Sequence, residues 1–347
     1  MSQLLLLWIG ESKNPIKRDR QSDLVMDSTI NYYDSPRPQL LYRAGRLFLD
    51  SGAFTARQQG IKLERDKVAR IQEIFMPDKA VPLDYPFVPG MSISTMAKLW
   101  EKTKENIIFW QSCTKLKDRI VPVLHSWNKN SLVSNLRWLQ KYADTNIIML
   151  GSLVGPSFSE FKGFFGDRQP RKELIDMLSL GIEYVRRYTD FEVHVTGLGS
   201  SPLTLHLAYY FGADSTDSAG YRRKAAYGKI ILPGSGERYV GNRLAQFGVA
   251  KIEDSLDLTW LKKCECPICK SNPERLIEDW KARAIHNEYV IRKEWQLAKS
   301  LLESSSIDVY EAYLDEIYKR SGLQYLWEYA KLRKKYMRIS EAIFGGK

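Results

Sequence analysis

Arg46-Leu47-Phe48-Leu49-Asp50 is a short apolar run that ends on a carboxylate, and Ser51-Gly52-Ala53-Phe54 then turns the chain away from it. The pattern decides the fold because it recurs. Further β-type runs follow at 80–84, 119–125, 146–151, 192–197 and, more briefly, 213–217. Between them lie longer amphipathic stretches with helical spacing, at 64–76, 92–112, 131–142, 171–188 and 202–211. Strand alternating with helix means parallel strands joined by right-handed crossovers. Two later runs, 229–232 and 238–240, bring the count towards eight, with Gly234-Ser235-Gly236 reading as a hairpin tip between them. The expected fold is therefore an α/β (β/α)8 TIM barrel rather than an open doubly wound sheet. No Gly-x-Gly-x-x-Gly follows the first strand, and Gly197-Leu198-Gly199 lacks the third glycine, which argues against a dinucleotide site.

Working outward, Leu4 to Ile9 lacks a basic flank and is too short for an export signal, so it reads as a buried strand. Beyond the alternating part stands Cys264-Glu265-Cys266-Pro267-Ile268-Cys269, followed by His286. Three thiols in six positions and one imidazole are the ligand inventory of a closed tetrahedral zinc site, with Pro267 bending the chain so that the sulfurs converge. Four protein ligands leave no open position, so the expected Zn²⁺ is structural. Of the four cysteines only Cys113 lies outside this group, and its apolar setting predicts burial. Past the cysteines the pattern is helical, at 273–302, 307–320 and 323–344. The expected organisation is a barrel catalytic core over 1–255 and a zinc-binding subdomain with C-terminal helices over 256–347.

The formal charge is +11, which suggests a polyanionic partner. No apolar stretch approaches the ~20 residues of a membrane helix. Reduced thiols at metal-ligand spacing point to a cytoplasmic compartment. In a barrel, chemistry sits where strands end and the following loops begin. Asp50, Asp84 and Asp217 fall there, and paired carboxylates in a closed site suit displacement at a sugar carbon.

Four motifs, in order, resemble the tRNA-guanine transglycosylases, zinc-containing (β/α)8 enzymes that exchange guanine for a 7-deazaguanine. Asp50-Ser51-Gly52-Ala53-Phe54 is similar to the family's Asp-Ser-Gly-Gly/Ala-Phe signature. Pro82-Leu83-Asp84-Tyr85-Pro86 resembles its Leu-Asp-Ile-Pro segment, and Gly212-Ala213-Asp214-Ser215-Thr216-Asp217 its Gly-Val-Asp-x-Phe-Asp stretch. Cys264, Cys266, Cys269 and His286, within Ile285-His286-Asn287, match its zinc site. The resemblance implies Asp217 as nucleophile and Asp50 as general acid/base. It places Ser51 and Gly52 in the substrate site and gives Asp84 the edge of the base. Gly151 and Ser152 stand where the family has Gly-Gly-Leu, a backbone contact to the base, and His125 replaces a glutamine, implying a contact to the purine.

After the nucleophile the family carries Pro-Thr-Arg-Asn-Ala-Arg-Asn-Gly, whereas this chain has Tyr221-Arg222-Arg223-Lys224-Ala225-Ala226-Tyr227-Gly228. Arg223 and Gly228 align, but one family arginine has become Ala226. The 347 residues also leave no room for the RNA-binding domain of the archaeal enzymes. These departures resemble the branch that inserts 7-deazaguanines such as preQ0 into DNA, and they imply Arg222, Arg223 and Lys224 as nucleic-acid contacts. Action on tRNA is the alternative, and a non-catalytic, zinc-containing nucleic-acid-binding subunit is the second. A homodimer, or accessory proteins that open a duplex, are partners compatible with the resemblance.

Overall fold

The computed structural model describes residues 5–88, 90–152, 170–240, 261–304 and 306–344. Eight parallel strands form one sheet: β1 (Leu6–Gly10), β2 (Asp19–Ser28), β3 (Arg43–Asp50), β4 (Lys79–Ala80), β5 (Val123–Leu124), β6 (Ile147–Leu150), β7 (Glu192–Val195) and β8 (Ser215–Ser218). Their order is β4-β3-β2-β1-β8-β7-β6-β5. The two edges meet, because Ala80 bridges Ile120 in parallel and the Val121 amide donates to the Ala80 carbonyl at 2.8 Å. That link closes the barrel expected from the alternation.

The membership of the barrel differs from the expectation. Its first two strands are β1 and β2. The late runs instead form an antiparallel hairpin, β9 (Lys229–Ile231) and β10 (Glu237–Tyr239). The reason is geometric: the turn between them spans only 232–236, whereas a parallel crossover needs a dozen residues or more. β2 was hard to see because its first half, Asp19-Arg20-Gln21-Ser22-Asp23, is polar, and its register with β3 shifts between Arg20 and Leu24. No α-helix separates β1 from β2, and only a 3-10 turn (Thr29–Tyr32) lies between β2 and β3.

The five expected helices are present as α2 (Arg65–Phe75), α3 (Ile93–Cys113), α4 (Lys129–Tyr142), α5 (Pro170–Tyr188) and α6 (Pro202–Phe211), and two short ones join them, α1 (Ala53–Gln58) and α7 (Gly220–Ala226). Local chemistry sets their starts. Ser201 accepts from the Thr204 amide, and Pro202, which needs no amide partner, opens α6. After the hairpin come α8 (Pro267–Ser271), α9 (Arg275–Glu278), α10 (Trp280–Ser304), α11 (Ile307–Arg320) and α12 (Gln324–Phe344). Cys113 is exposed rather than buried, because α3 ends there, one turn past its buried Trp110. The expected boundary at 255/256 lies outside the described residues.

The strands alternate between two apolar sets. Trp8, Met26, Phe48, Val81, Val121, Val123, Ile147 and Met149 fill the barrel interior, while the opposite faces join the larger core beneath the helices. A barrel interior packed in this way is a core, not a pore, so access is confined to the strand ends. Among the described residues no helix is long and apolar enough to cross a membrane.

Candidate active site and metal centre

Asp50 is the last residue of β3. Its Oδ2 accepts from the Gly52 amide at 2.9 Å and from Ser28 Oγ, at the end of β2, at 3.3 Å. Gly52 is required here. Its φ is 84°, and a Cβ would lie 2.7 Å from Ile30 Cβ. Burial, then the neighbouring charge of Asp84, and more weakly that of Asp217, push the Asp50 carboxyl up to about 7, although the Gly52 and Ser28 contacts oppose the shift. The charges of Asp84 and Asp217 thus reach Asp50 from two other parts of the barrel.

Asp84 is buried and held from both sides. Ser51 Oγ donates to its Oδ1 at 2.8 Å, and His125 Nε2 lies 2.9 Å from its Oδ2. His125 follows β5 and is itself fixed, with Nδ1 2.9 Å from Ser152 Oγ and its carbonyl accepting from Asn135 Nδ2 at 2.8 Å. Ser152 occupies the left-handed region (φ 59°), unusual for a side-chain-bearing residue, and its hydroxyl also accepts from the Phe87 amide at 3.0 Å. Gly151 leaves room for this arrangement, since a Cβ there would meet His125 Cε1 at 2.6 Å. Ser51, Asp84, His125 and Ser152 thus form one continuous hydrogen-bonded chain.

Asp217 lies in β8 and accepts from the Gly197 amide at 2.6 Å. Asp214, three residues earlier, is tied elsewhere. Its Oδ2 accepts from Arg186 Nη2 at 2.6 Å and from the Val193 amide at 2.7 Å. Asp214 therefore fastens the start of β8, whereas the charge of Asp217 reaches Asp50.

His194 escaped the sequence reading. It is fully buried on β7, with Nδ1 2.8 Å from Ser215 Oγ and its ring 5.0 Å from that of Phe48. The available signal was its place between Val193 and Val195, which puts one polar side chain on the face opposite two valines.

The three proposed polymer contacts diverge. Arg222 pairs with Glu11, which also holds the buried Arg20, and Lys224 pairs with Glu237. Arg223 is exposed. Of the basic residues on α12, Arg333 is buried 3.0 Å from Asp176, and Lys331 lies 2.8 Å from Asp315.

Cys264, Cys266, Cys269 and His286 converge, their ligand atoms all within 4.8 Å of one another. The sulfurs stand 3.5, 3.4 and 3.4 Å from His286 Nδ1. Tetrahedral bonds of about 2.3 Å to sulfur and about 2.05 Å to nitrogen put those atoms about 3.6 Å apart, so the donor set fits one Zn²⁺. Cys266 caps α8, its sulfur accepting from the Cys269 amide at 3.2 Å, and His286 Nε2 is oriented by the Ile231 carbonyl at 2.8 Å. Next to it, Asn287 accepts from the Ile231 amide and donates to the carbonyls of Tyr221 and Lys229. The thiol–imidazole cluster, α7 and the hairpin that follows the Asp217 strand are thereby fastened together.

No family model matches the chain. A curated relative, the tRNA-guanine(15) transglycosylase of Saccharolobus solfataricus, is 32% identical over 285 residues, covering 76% of this chain and 49% of the relative. The chain belongs to the tRNA-guanine transglycosylase family. It spans about half the length of the curated relative it matches.

Proposed function

We propose that this family member is a base-exchange transglycosylase, a pentosyltransferase that replaces guanine in a nucleic acid, DNA in our reading, with a 7-deazaguanine such as preQ0. The observation that carries the proposal is the meeting of Asp50, Asp84 and Asp217, with Asp50 held near neutrality. Asp217 attacks C1′ of the target nucleotide as the bond from C1′ to the purine nitrogen breaks. The electron pair leaves with guanine, which receives a proton. The incoming 7-deazaguanine then gives up its ring proton and attacks C1′, and the bond from Asp217 to C1′ breaks. A carboxyl with a pKa near working pH is suited to both proton transfers, which assigns them to Asp50. Asp84, steadied by Ser51 and His125, reads the shared purine edge, beside Gly52, Gly151 and Ser152.

In this reading residues 1–255 form the catalytic core and 256–347 the zinc part, and the protein works in a reducing cytoplasm. The ion is Zn²⁺, and with four protein ligands it holds structure and does no chemistry. DNA is favoured by the replacement of a family arginine by Ala226. The name of the relative favours tRNA as the second reading. The test is release of labelled guanine from DNA and from tRNA in the presence of preQ0. Release from DNA is expected. Release from tRNA alone exchanges the polymer and keeps the chemistry, whereas release from neither overturns the proposal.

A further inference from the structure

Beneath Asp217, His194 Nε2 lies 3.4 Å from Oδ1, the oxygen that already accepts from the Gly197 amide. Nε2 is nevertheless without an aligned hydrogen-bond partner, so the two groups are close but not in line. Asp217 Oδ1 is nonetheless a carboxylate oxygen 3.4 Å from Nε2, which has no hydrogen-bond partner. A bare lone pair facing a carboxylate oxygen would be repulsive, and a buried N–H with no acceptor is costly to leave.

We propose that His194 is a positioning residue for Asp217, held as the neutral Nε2–H tautomer, with the Ser215 hydroxyl donating to Nδ1 and Nε2–H directed at Asp217 Oδ1. The packed barrel interior around Phe48 keeps the ring in place. Two donors on Oδ1 leave Oδ2 as the oxygen that bonds to C1′. When that bond breaks, the electron pair returns to a carboxylate whose charge both donors already face, which is preorganised stabilisation of a leaving group. The consequence for rate rests on the proposed function, but the tautomer does not.

Two measurements test the inference and separate it from that reading. In the exchange assay, His194→Phe keeps the ring but removes the donor, and should lower kcat about 10- to 100-fold with KM for the free base unchanged. His194→Gln, which restores an N–H, should recover most of the loss. Independently, nitrogen-15 NMR of the histidines should show His194 as the Nε2–H tautomer, with its Nε2 signal moved in Asp217→Asn. Wild-type kcat in His194→Phe, or an Nδ1–H tautomer, would overturn the proposal. If the wild-type protein exchanges no base, the enzyme reading fails, and the tautomer still decides the contact.

Discussion

Asp50→Asn should make the fold more stable, and increasingly so as pH rises. The carboxyl is moved from 3.8 to about 7 by burial and by the charges of Asp84 and Asp217. A group whose folded-state pKa is raised favours folding fully below its unfolded value, and that contribution is lost as pH climbs through the folded one. At about 1.36 kcal/mol per pH unit the penalty reaches about 4 kcal/mol in alkaline solution, and about 2 kcal/mol of it develops between about pH 5.5 and about pH 8.5. Asparagine keeps an acceptor for the Gly52 amide and carries no charge. The assay is guanidinium unfolding of wild-type and variant protein side by side at both pH values. Pairing them cancels pH effects common to both chains, including acid release of metal from thiolates. The variant's advantage should widen by about 2 kcal/mol from the lower to the higher pH. A constant difference, or a variant that loses ground as pH rises, would refute the shared-charge account of the site.

Other perturbations separate chemistry from scaffold. Cys266→Ser or His286→Ala should lower folded yield and loosen α10 from the β9–β10 hairpin, with elemental analysis falling from one zinc per chain; a wild-type protein purified without chelator and lacking stoichiometric metal would contradict this. Arg223→Ala should weaken polymer binding and reduce its salt slope by ~0.9 for a duplex, without altering thermal stability. Arg222→Ala should act the other way, lowering stability by leaving Glu11 with one partner fewer; the same unfolding and salt-titration measurements distinguish the two.

What the sequence made legible was periodic or chemically dense. Runs of alternating strand and helix predicted the barrel, and Cys-x-Cys-x2-Cys with His286 predicted a cluster whose atoms do converge. What escaped depended on contacts distant in sequence. β2 hides a barrel strand behind a polar first half, whose buried side chain, Arg20, is held by Glu11 and Glu288 rather than by an apolar layer. The late runs had the right composition for strands, but their short turn allowed only an antiparallel hairpin. Arg222 and Lys224 looked like free cations until Glu11 and Glu237, which are 211 and 13 residues away, were seen to hold them. His194 carried no motif at all, and only the closure of β7 against β8 brings it to Asp217.

The central claim is that Asp217 forms a bond to a sugar carbon, and mass spectrometry of the proteolysed protein tests it most directly. The protein should be incubated with guanine-containing DNA, and in parallel with tRNA, without added 7-deazaguanine, then denatured and digested with nuclease. Wild-type protein should carry a nucleotide-derived mass on the peptide containing Asp217, which disappears when preQ0 is supplied, and Asp217→Asn should carry none. An adduct on Asp50 or Asp214, or exchange that proceeds in Asp217→Asn at the wild-type rate, would contradict the account.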